Sequence, residues 1–168
     1  MRVRLPLSAG IGDPRIVEIE GPSPRDARSS RDPSQRRIAC GASSFVTEGA
    51  MVSVPIIPSF EVVDDQIGRI TVRSAVLARS GGRLYAYANI CRHIPLTLDM
   101  GDGDVAAADR RHFLCHHHGA RYRIEDGTCA SGPCDGESLI KIEHEIVDGE
   151  LFLLLPAPPP PSMTPPSL

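Results

Sequence analysis

Two short pairs of metal-binding residue types constrain this chain more than any other feature of its sequence. Cys91 and His93 are separated by one residue, and Cys115 and His118 by two. Each pair falls where a predicted strand turns back, so that two hairpin loops could each present a thiolate and an imidazole. Side chains this close together on tight loops can reach one metal centre without distorting the backbone. Two cysteines and two histidines suit either a single zinc ion or a two-iron, two-sulfide cluster.

The residues that follow the second pair discriminate between these two centres. Gly119 directly follows His118 and allows the backbone to pass close to an inorganic cluster, where a side chain would collide. The run GTCASGPC then supplies a turn at Gly132-Pro133. A zinc site does not need this additional loop, whereas a larger cluster has to be covered. The sequence therefore favours the cluster over zinc.

The region around these pairs has the pattern of β-structure. SAVLARSGGRLYAYAN predicts a hairpin with a Gly-Gly turn at 81–82, and LIKIEHEIVDGELFLLL predicts another with an Asp-Gly turn at 148–149. Residues 111–114 and 120–124 are further candidates for short strands. No segment has a sustained apolar period of 3.6 residues. We therefore expect a small all-β domain of antiparallel sheets over residues 52–156.

Both ends of the chain differ in composition from this region. Residues 1–50 mix Arg, Ser, Pro and Gly, and we expect them to be mostly disordered, or to be an extension upstream of a true start at Met51. Residues 157–168 form a proline-rich tail that cannot pair in a sheet. The net charge of −3 gives no reason to expect nucleic acid as a partner. Because no apolar run approaches the ~18 residues of a transmembrane helix, we expect no membrane contact and a cytoplasmic location.

The motif C-x-H…C-x-x-H-G-A-x-Y…D-G…G-P-C resembles that of the Rieske ferredoxin family, in its small, soluble, single-domain form. The resemblance covers about residues 55–155. It implies a Rieske-type fold whose cluster-binding subdomain is built from two ligand loops and a Gly-Pro loop, and it implies one [2Fe–2S] cluster. It further implies that Cys91 and Cys115 bind the inner, ferric iron and that His93 and His118 bind the outer iron. Electrons would then enter and leave through the exposed imidazole edges.

The resemblance also implies a role as an electron carrier. Family members most often pass single electrons from a reductase, here expected to be a flavin reductase, to an oxygenase whose catalytic iron lies in a separate domain. We therefore expect no catalytic residue and no substrate-converting site in this chain. One alternative is a small Rieske subunit of a larger oxidoreductase of the nitrite-reductase type. The other is a zinc-stabilised binding module without a redox role.

The remaining histidines and cysteines near the second pair have other expected roles. Side chains alternate in direction along a tight loop, so that His116 and His117 cannot reach the iron that His118 binds, and we expect both at the rim. Cys129 and Cys134 lie in the run that would cover the cluster. We expect them to be small buried hydrophobic residues, with a local disulfide between them as the alternative.

Three departures from the family's pattern concern the surroundings of the cluster. The disulfide that links the ligand loops in membrane-anchored respiratory relatives needs cysteines where this chain has Leu96 and His117. High-potential relatives resemble HGSxY, with two hydroxyl donors. Here Ala120 removes one donor and Tyr122 is a candidate for the other, with a plain aromatic residue of a strand as the alternative. This predicts a potential in the lower to middle part of the Rieske range of about −150 to +300 mV. Twenty-one residues separate the two ligand pairs, and the insert MGDGDVAAADRRH predicts a longer hairpin at the rim.

Overall fold

Nine β-strands make up the regular structure of the described residues, which are 35–134 and 136–157 of the computed structural model. The strands are β1 (Gln35–Ala42), β2 (Met51–Asp64), β3 (Gly68–Ser80), β4 (Arg83–Ala88), β5 (His112–Leu114), β6 (Arg121–Arg123), β7 (Cys129–Ser131), β8 (Glu143–Val147) and β9 (Glu150–Pro156). A single 3-10 turn, Ser43–Phe45, follows β1. The part of the chain that the structure describes contains no α-helix, and none of its helical turns is long and apolar enough to cross a membrane. The all-β prediction is confirmed.

The strands form three antiparallel sheets of three strands each, in the orders β1-β9-β8, β2-β3-β4 and β5-β6-β7. Both predicted hairpins are present. Strands β3 and β4 pair up to Ser80 and Arg83, and strands β8 and β9 pair up to Val147 and Glu150. At each turn both central residues have positive φ, at 58° and 75° for the Gly-Gly turn and at 52° and 81° for the Asp-Gly turn. This is the backbone that a two-residue hairpin of the primed type requires.

Residues 35–50, which belong to the segment expected to be mostly disordered, are part of the folded domain. Strand β1 pairs along β9, with Ile38 opposite Leu153, and Val46 is completely buried. In β1 the two apolar side chains that alternate with polar or small ones, Ile38 and Cys40, pack against the core. The domain therefore begins before the predicted boundary at residue 52. The expectations for residues 1–34 and for the proline-rich tail after residue 157 lie outside the described residues.

The buried side chains form two clusters that share β3. One face of β3 contributes Ala75 and Leu77 to a core with residues of β2, β4 and β9. The opposite face contributes Val76 and Ala78 to a second core with residues of β5, β6 and β7. Alternate residues of a strand point to opposite faces, so that a strand buried on both sides connects the two cores. The second core also contains Cys91 and Cys115, and the predicted ligand loops are therefore fixed to the rest of the domain through β3.

The insert between the ligand pairs forms the predicted hairpin. Residues 105–107 lie antiparallel to β5, where the amide of Leu114 donates to the carbonyl of Val105 at 2.9 Å and the amide of Ala107 donates to that of His112 at 3.0 Å. Val105 is completely buried in the second core. The insert therefore contributes to the core beneath the ligand loops as well as to the rim.

Candidate metal centre

The two predicted thiolate ligands lie together in the protein interior. Cys91 is 2% exposed and Cys115 is 0% exposed. Interaction with the neighbouring Cys115 side chain is the main reason that the pKa of Cys91 falls to about 5, and the same interaction raises the pKa of Cys115. One sulfur of the pair is therefore readily ionised. The thiolate is the form of cysteine that binds metals.

The two predicted imidazole ligands lie together at the surface. His93 and His118 are both exposed, and their ring centroids are 4.8 Å apart with the ring planes at 90°. Of the neighbouring histidines, His116 is exposed and His117 is half-buried, with its ring centroid 6.3 Å from that of His118. The structure therefore pairs His93 with the histidine that the spacing selected, and it places the other two on the rim.

The donor set fits a two-iron cluster better than a single ion. A [2Fe–2S] cluster of this ligand type takes two thiolates on one iron and two imidazoles on the other. The structure provides one buried sulfur pair and one exposed nitrogen pair. Among residues 35–134 and 136–157, no three His, Cys, Asp or Glu side chains are grouped as ligands of one metal ion, although a structural zinc ion takes four. The chemistry and the pairing of the donors are those of the cluster.

Backbone hydrogen bonds close each ligand loop on itself. In the first ligand loop (residues 91–96), the amide of Cys91 donates to the carbonyl of Leu96 at 2.8 Å. In the second (residues 115–120), the amide of Cys115 donates to Ala120 at 2.8 Å, and that of Gly119 donates back to Cys115 at 2.9 Å. Gly119 has φ of +76°, a left-handed conformation that favours glycine. The glycine after the second histidine is thus required by the turn itself.

The predicted covering loop (residues 127–134) packs directly on the second ligand loop. A side-chain carbon added to Gly132, which has φ of +114°, would lie 2.7 Å from the Cα of Ala120. Such a contact with backbone is too short for any residue but glycine. At the Gly-Pro turn, the backbone of the covering loop therefore lies directly against the backbone of the second ligand loop.

Tyr122 connects the predicted ligand Cys91 to the covering loop. Its buried hydroxyl lies 3.2 Å from Sγ of Cys91 and 2.9 Å from Sγ of Cys134, and it accepts a hydrogen bond from the backbone N–H of Arg92 at 3.0 Å. Burial is the main reason that the pKa of Tyr122 is raised, so that the hydroxyl keeps its proton. The hydrogen bond predicted between Tyr122 and a ligand sulfur is present.

The covering loop also brings two further thiols together. The sequence did not indicate that these thiols would hydrogen-bond to each other. Cys129 and Cys134 are buried and free, and their sulfurs are 3.2 Å apart in a hydrogen bond from Cys134 to Cys129. The Cys129 thiol in turn donates to the carbonyl of Ser131 at 3.2 Å. Burial is the largest cause of the raised pKa of Cys134, about 12. The Cys134 thiol is therefore protonated at neutral pH.

A buried arginine between the first two ligand residues was also not foreseen. The Arg92 side chain is 7% exposed and forms an ion pair with Asp64 at 2.8 Å. It also donates to Oε1 of Gln66 at 2.9 Å. Asp64 and Gln66 lie at the turn between β2 and β3. This ion pair ties the first ligand loop to that hairpin, and no local sequence pattern links positions so far apart.

Comparison with known proteins identifies this arrangement. The family model of the Rieske [2Fe-2S] domain matches residues 37–147. The fold is similar to the terminal oxygenase of carbazole 1,9a-dioxygenase from Novosphingobium sp. KA1, with a TM-score of 0.54 and 20% identity over 74% of this chain and 31% of the oxygenase chain. It is also similar to the ferredoxin of carbazole 1,9a-dioxygenase from Nocardioides aromaticivorans IC177, with a TM-score of 0.50 and 19% identity over 73% of this chain and 98% of the ferredoxin. No curated protein matches.

At these identities the two solved structures show the fold alone, and the chain spans about a third of the oxygenase chain that it matches. The family model covers most of the chain and includes both ligand pairs. The chain belongs to the Rieske [2Fe-2S] domain family, whose cofactor is one [2Fe–2S] cluster.

Proposed function

We propose that this protein carries single electrons from a flavin reductase to an oxygenase-type acceptor, with Cys91, His93, Cys115 and His118 as the cluster ligands. The proposal rests on the difference in burial between the two proposed ligand pairs. The sulfur pair is buried, and the imidazole pair is exposed at the surface. When bound, the [2Fe–2S] cluster takes up and releases one electron at a time. The exposed imidazole edges are then the shortest route between the cluster and a partner protein.

The surface beside the imidazoles suits a protein partner. Ile94, Leu96 and Met100 are exposed apolar side chains close in sequence to His93. Leu96 and Met100 also line a groove of about 360 Å³ that His117 borders. Exposed apolar side chains grouped in this way are typical of interaction sites. A partner docked here would exclude water from the imidazoles and shorten the path of the electron.

The likeness to a ferredoxin of carbazole 1,9a-dioxygenase over 98% of that protein's length supports the role of a separate carrier. We place the protein in the cytoplasm, where reductases and oxygenases of this kind would meet it. In this role the chain's own residues hold the cluster, shield its sulfur side and set its potential. They convert no substrate.

Spectroscopy of the anaerobically purified protein tests the ligand assignment. We expect a red-brown protein whose dithionite-reduced form gives a rhombic EPR signal of low average g. Replacing Cys91 or His93 with alanine should abolish that signal, whereas replacing the rim residue His116 should preserve it. A colourless protein that contains zinc would refute the proposal.

Reduction and reoxidation test the carrier role. With NADH and a purified flavin reductase, the visible bands should bleach by one electron per chain, and oxidised oxygenase should restore them. The subunit alternative predicts instead that the native protein elutes only within a large stable oxidoreductase complex and is not reduced as a separate chain. That elution would contradict the carrier role while leaving the cluster assignment intact.

A further inference from the structure

The Tyr122 hydroxyl has more hydrogen-bond partners than it has protons. Sγ of Cys91, Sγ of Cys134 and the amide of Arg92 all lie within 3.2 Å of it. The Arg92 amide can only donate, so that it occupies one lone pair of the hydroxyl oxygen. The single hydroxyl proton is then left with two possible acceptors, the sulfurs of Cys91 and Cys134.

The proposed ligand role of Cys91 decides where this proton goes. A ligand sulfur carries no proton and bears negative charge, and a charged acceptor forms a hydrogen bond about twice as strong as a neutral one does. The Tyr122 proton is therefore donated to Cys91. Cys134 keeps its own S–H proton, and its Sγ lies 2.9 Å from the Tyr122 oxygen, which has one lone pair left to accept it. The contact between Cys134 and Tyr122 is then a donation from the thiol to the hydroxyl.

We propose that Cys134 is a positioning residue for the cluster, which donates its thiol proton to Tyr122 and so strengthens the hydrogen bond from Tyr122 to Cys91. This inference rests on the proposed ligand set. Hydrogen bonds in a chain polarise one another by about 10–30% per bond. The bond to the ligand sulfur is stronger in the reduced, more negative state. Cys134 therefore raises the reduction potential without touching the ligand.

Cys129 limits this effect. Its sulfur lies 3.2 Å from that of Cys134 and accepts from the same thiol, and its own proton is used by the carbonyl of Ser131. The Cys134 proton is thus shared between Tyr122 and Cys129. The two cysteines have opposite effects on the cluster: Cys134 supplies the proton, and Cys129 competes for it.

The two cysteines therefore provide matched variants. Both thiols are buried in the same loop, and replacing either with alanine removes one sulfur atom. We expect Cys134→Ala to weaken cluster reduction about twofold to fivefold, a fall in midpoint potential of about 20 to 40 mV at 59 mV per tenfold. Cys129→Ala should leave the potential unchanged or raise it. Cys134→Ser, which restores a donor, should recover most of the loss.

Potentiometric titration followed by EPR measures these shifts in the holoprotein, and a double variant tests the route. If Cys134 acts through Tyr122, then Cys134→Ala should have no effect in a Tyr122→Phe background, whereas a general disturbance of packing would lower the potential in both backgrounds. Equal shifts in both backgrounds, or equal shifts for the two cysteines, would overturn the inference. Should Cys134→Ala fail to retain the cluster, Cys134→Val takes its place against Cys134→Ser. A wild-type protein without the Rieske EPR signal would refute the proposed function instead.

Discussion

Replacing Asp64 with asparagine should destabilise the protein far more than its distance from the ligand residues in sequence suggests. Asp64 pairs with Arg92 at 2.8 Å, and the two side chains are only 18% and 7% exposed. An asparagine keeps the oxygen that accepts from the amides of Gln66 and Ile67 and removes only the charge. The Arg92 guanidinium is then left buried with only the more distant Glu137 carboxylate, 3.8 Å away, as a counterion.

The loss of folding free energy can be estimated from the burial of this ion pair. Breaking a buried ion pair by removing one partner costs about 3–5 kcal/mol. Asp64 retains some exposure, and Gln66 still accepts from Arg92, so that we expect about 2–3 kcal/mol for Asp64→Asn. The matched control is Glu61→Gln. Glu61 pairs with Arg69 at a similar 2.9 Å on the same hairpin, but with side chains 48% and 70% exposed, for which we expect about 0–1 kcal/mol.

Anaerobic urea unfolding of the holoprotein, followed by far-ultraviolet circular dichroism, measures how much each of the two variants lowers the free energy of unfolding. The Arg92 guanidinium beside it is the main cause of the lowered pKa of Asp64. The stabilisation is therefore fully present above the ordinary carboxyl pKa of about 3.9 and is lost as the pH falls through the lowered folded value. The gap between wild type and Asp64→Asn should close below about pH 4. Equal costs for the two variants at pH 7, or a gap that persists in acid, would refute the argument from burial.

Three further outcomes are expected. Gly132→Ala should lower the free energy of unfolding in urea by about 2–4 kcal/mol, because the added carbon would lie 2.7 Å from backbone. Its control is Gly136→Ala, where φ is positive but the space around the residue is open; this variant should lose about 1 kcal/mol. His118→Ala should abolish the visible bands and the EPR signal, and His116→Ala should retain both; the reverse result would reassign the ligand. Deleting residues 1–50 removes β1 from its sheet and should lower the melting temperature by about 10 °C or more. An unchanged melting curve would show that β1 does not stabilise the domain.

Residue types at neighbouring positions were enough to predict two hairpins and the two proposed ligand pairs from the sequence. Gly81-Gly82 and Asp148-Gly149 supply the positive φ that the turns need, and apolar residues alternate on either side of them. Strand β1 was not visible, because only Ile38 and Cys40 mark its buried side and its partner β9 lies more than a hundred residues away. In β2 the pairing is irregular between Pro55 and Phe60, where prolines interrupt the alternation that would have revealed the strand.

The same distinction between local and distant contacts applies to the metal centre. Residue type and spacing led to the proposed ligands, and the family's motif indicated Tyr122 as a candidate hydrogen-bond donor. The third contact of that hydroxyl, with Cys134, depends on how the covering loop lies across the second ligand loop. The ion pair of Arg92 depends on where the turn between β2 and β3 lies. Neither contact has a local pattern, because the partners meet only when the two cores have formed.

Substitutions in the two cores should also have different effects on the cluster. The core with β2, β4 and β9 contains none of the proposed ligands, so that a cavity there should change the free energy of unfolding and leave the cluster's potential unchanged. The second core contains Cys91, Cys115 and Tyr122 among its buried residues. Interiors are closely packed, and a change of volume there displaces the groups that hydrogen-bond to the ligand sulfurs. Substitutions on opposite faces of β3, such as Leu77→Ala and Val76→Ala, should therefore both destabilise the fold, but only the second should shift the potential.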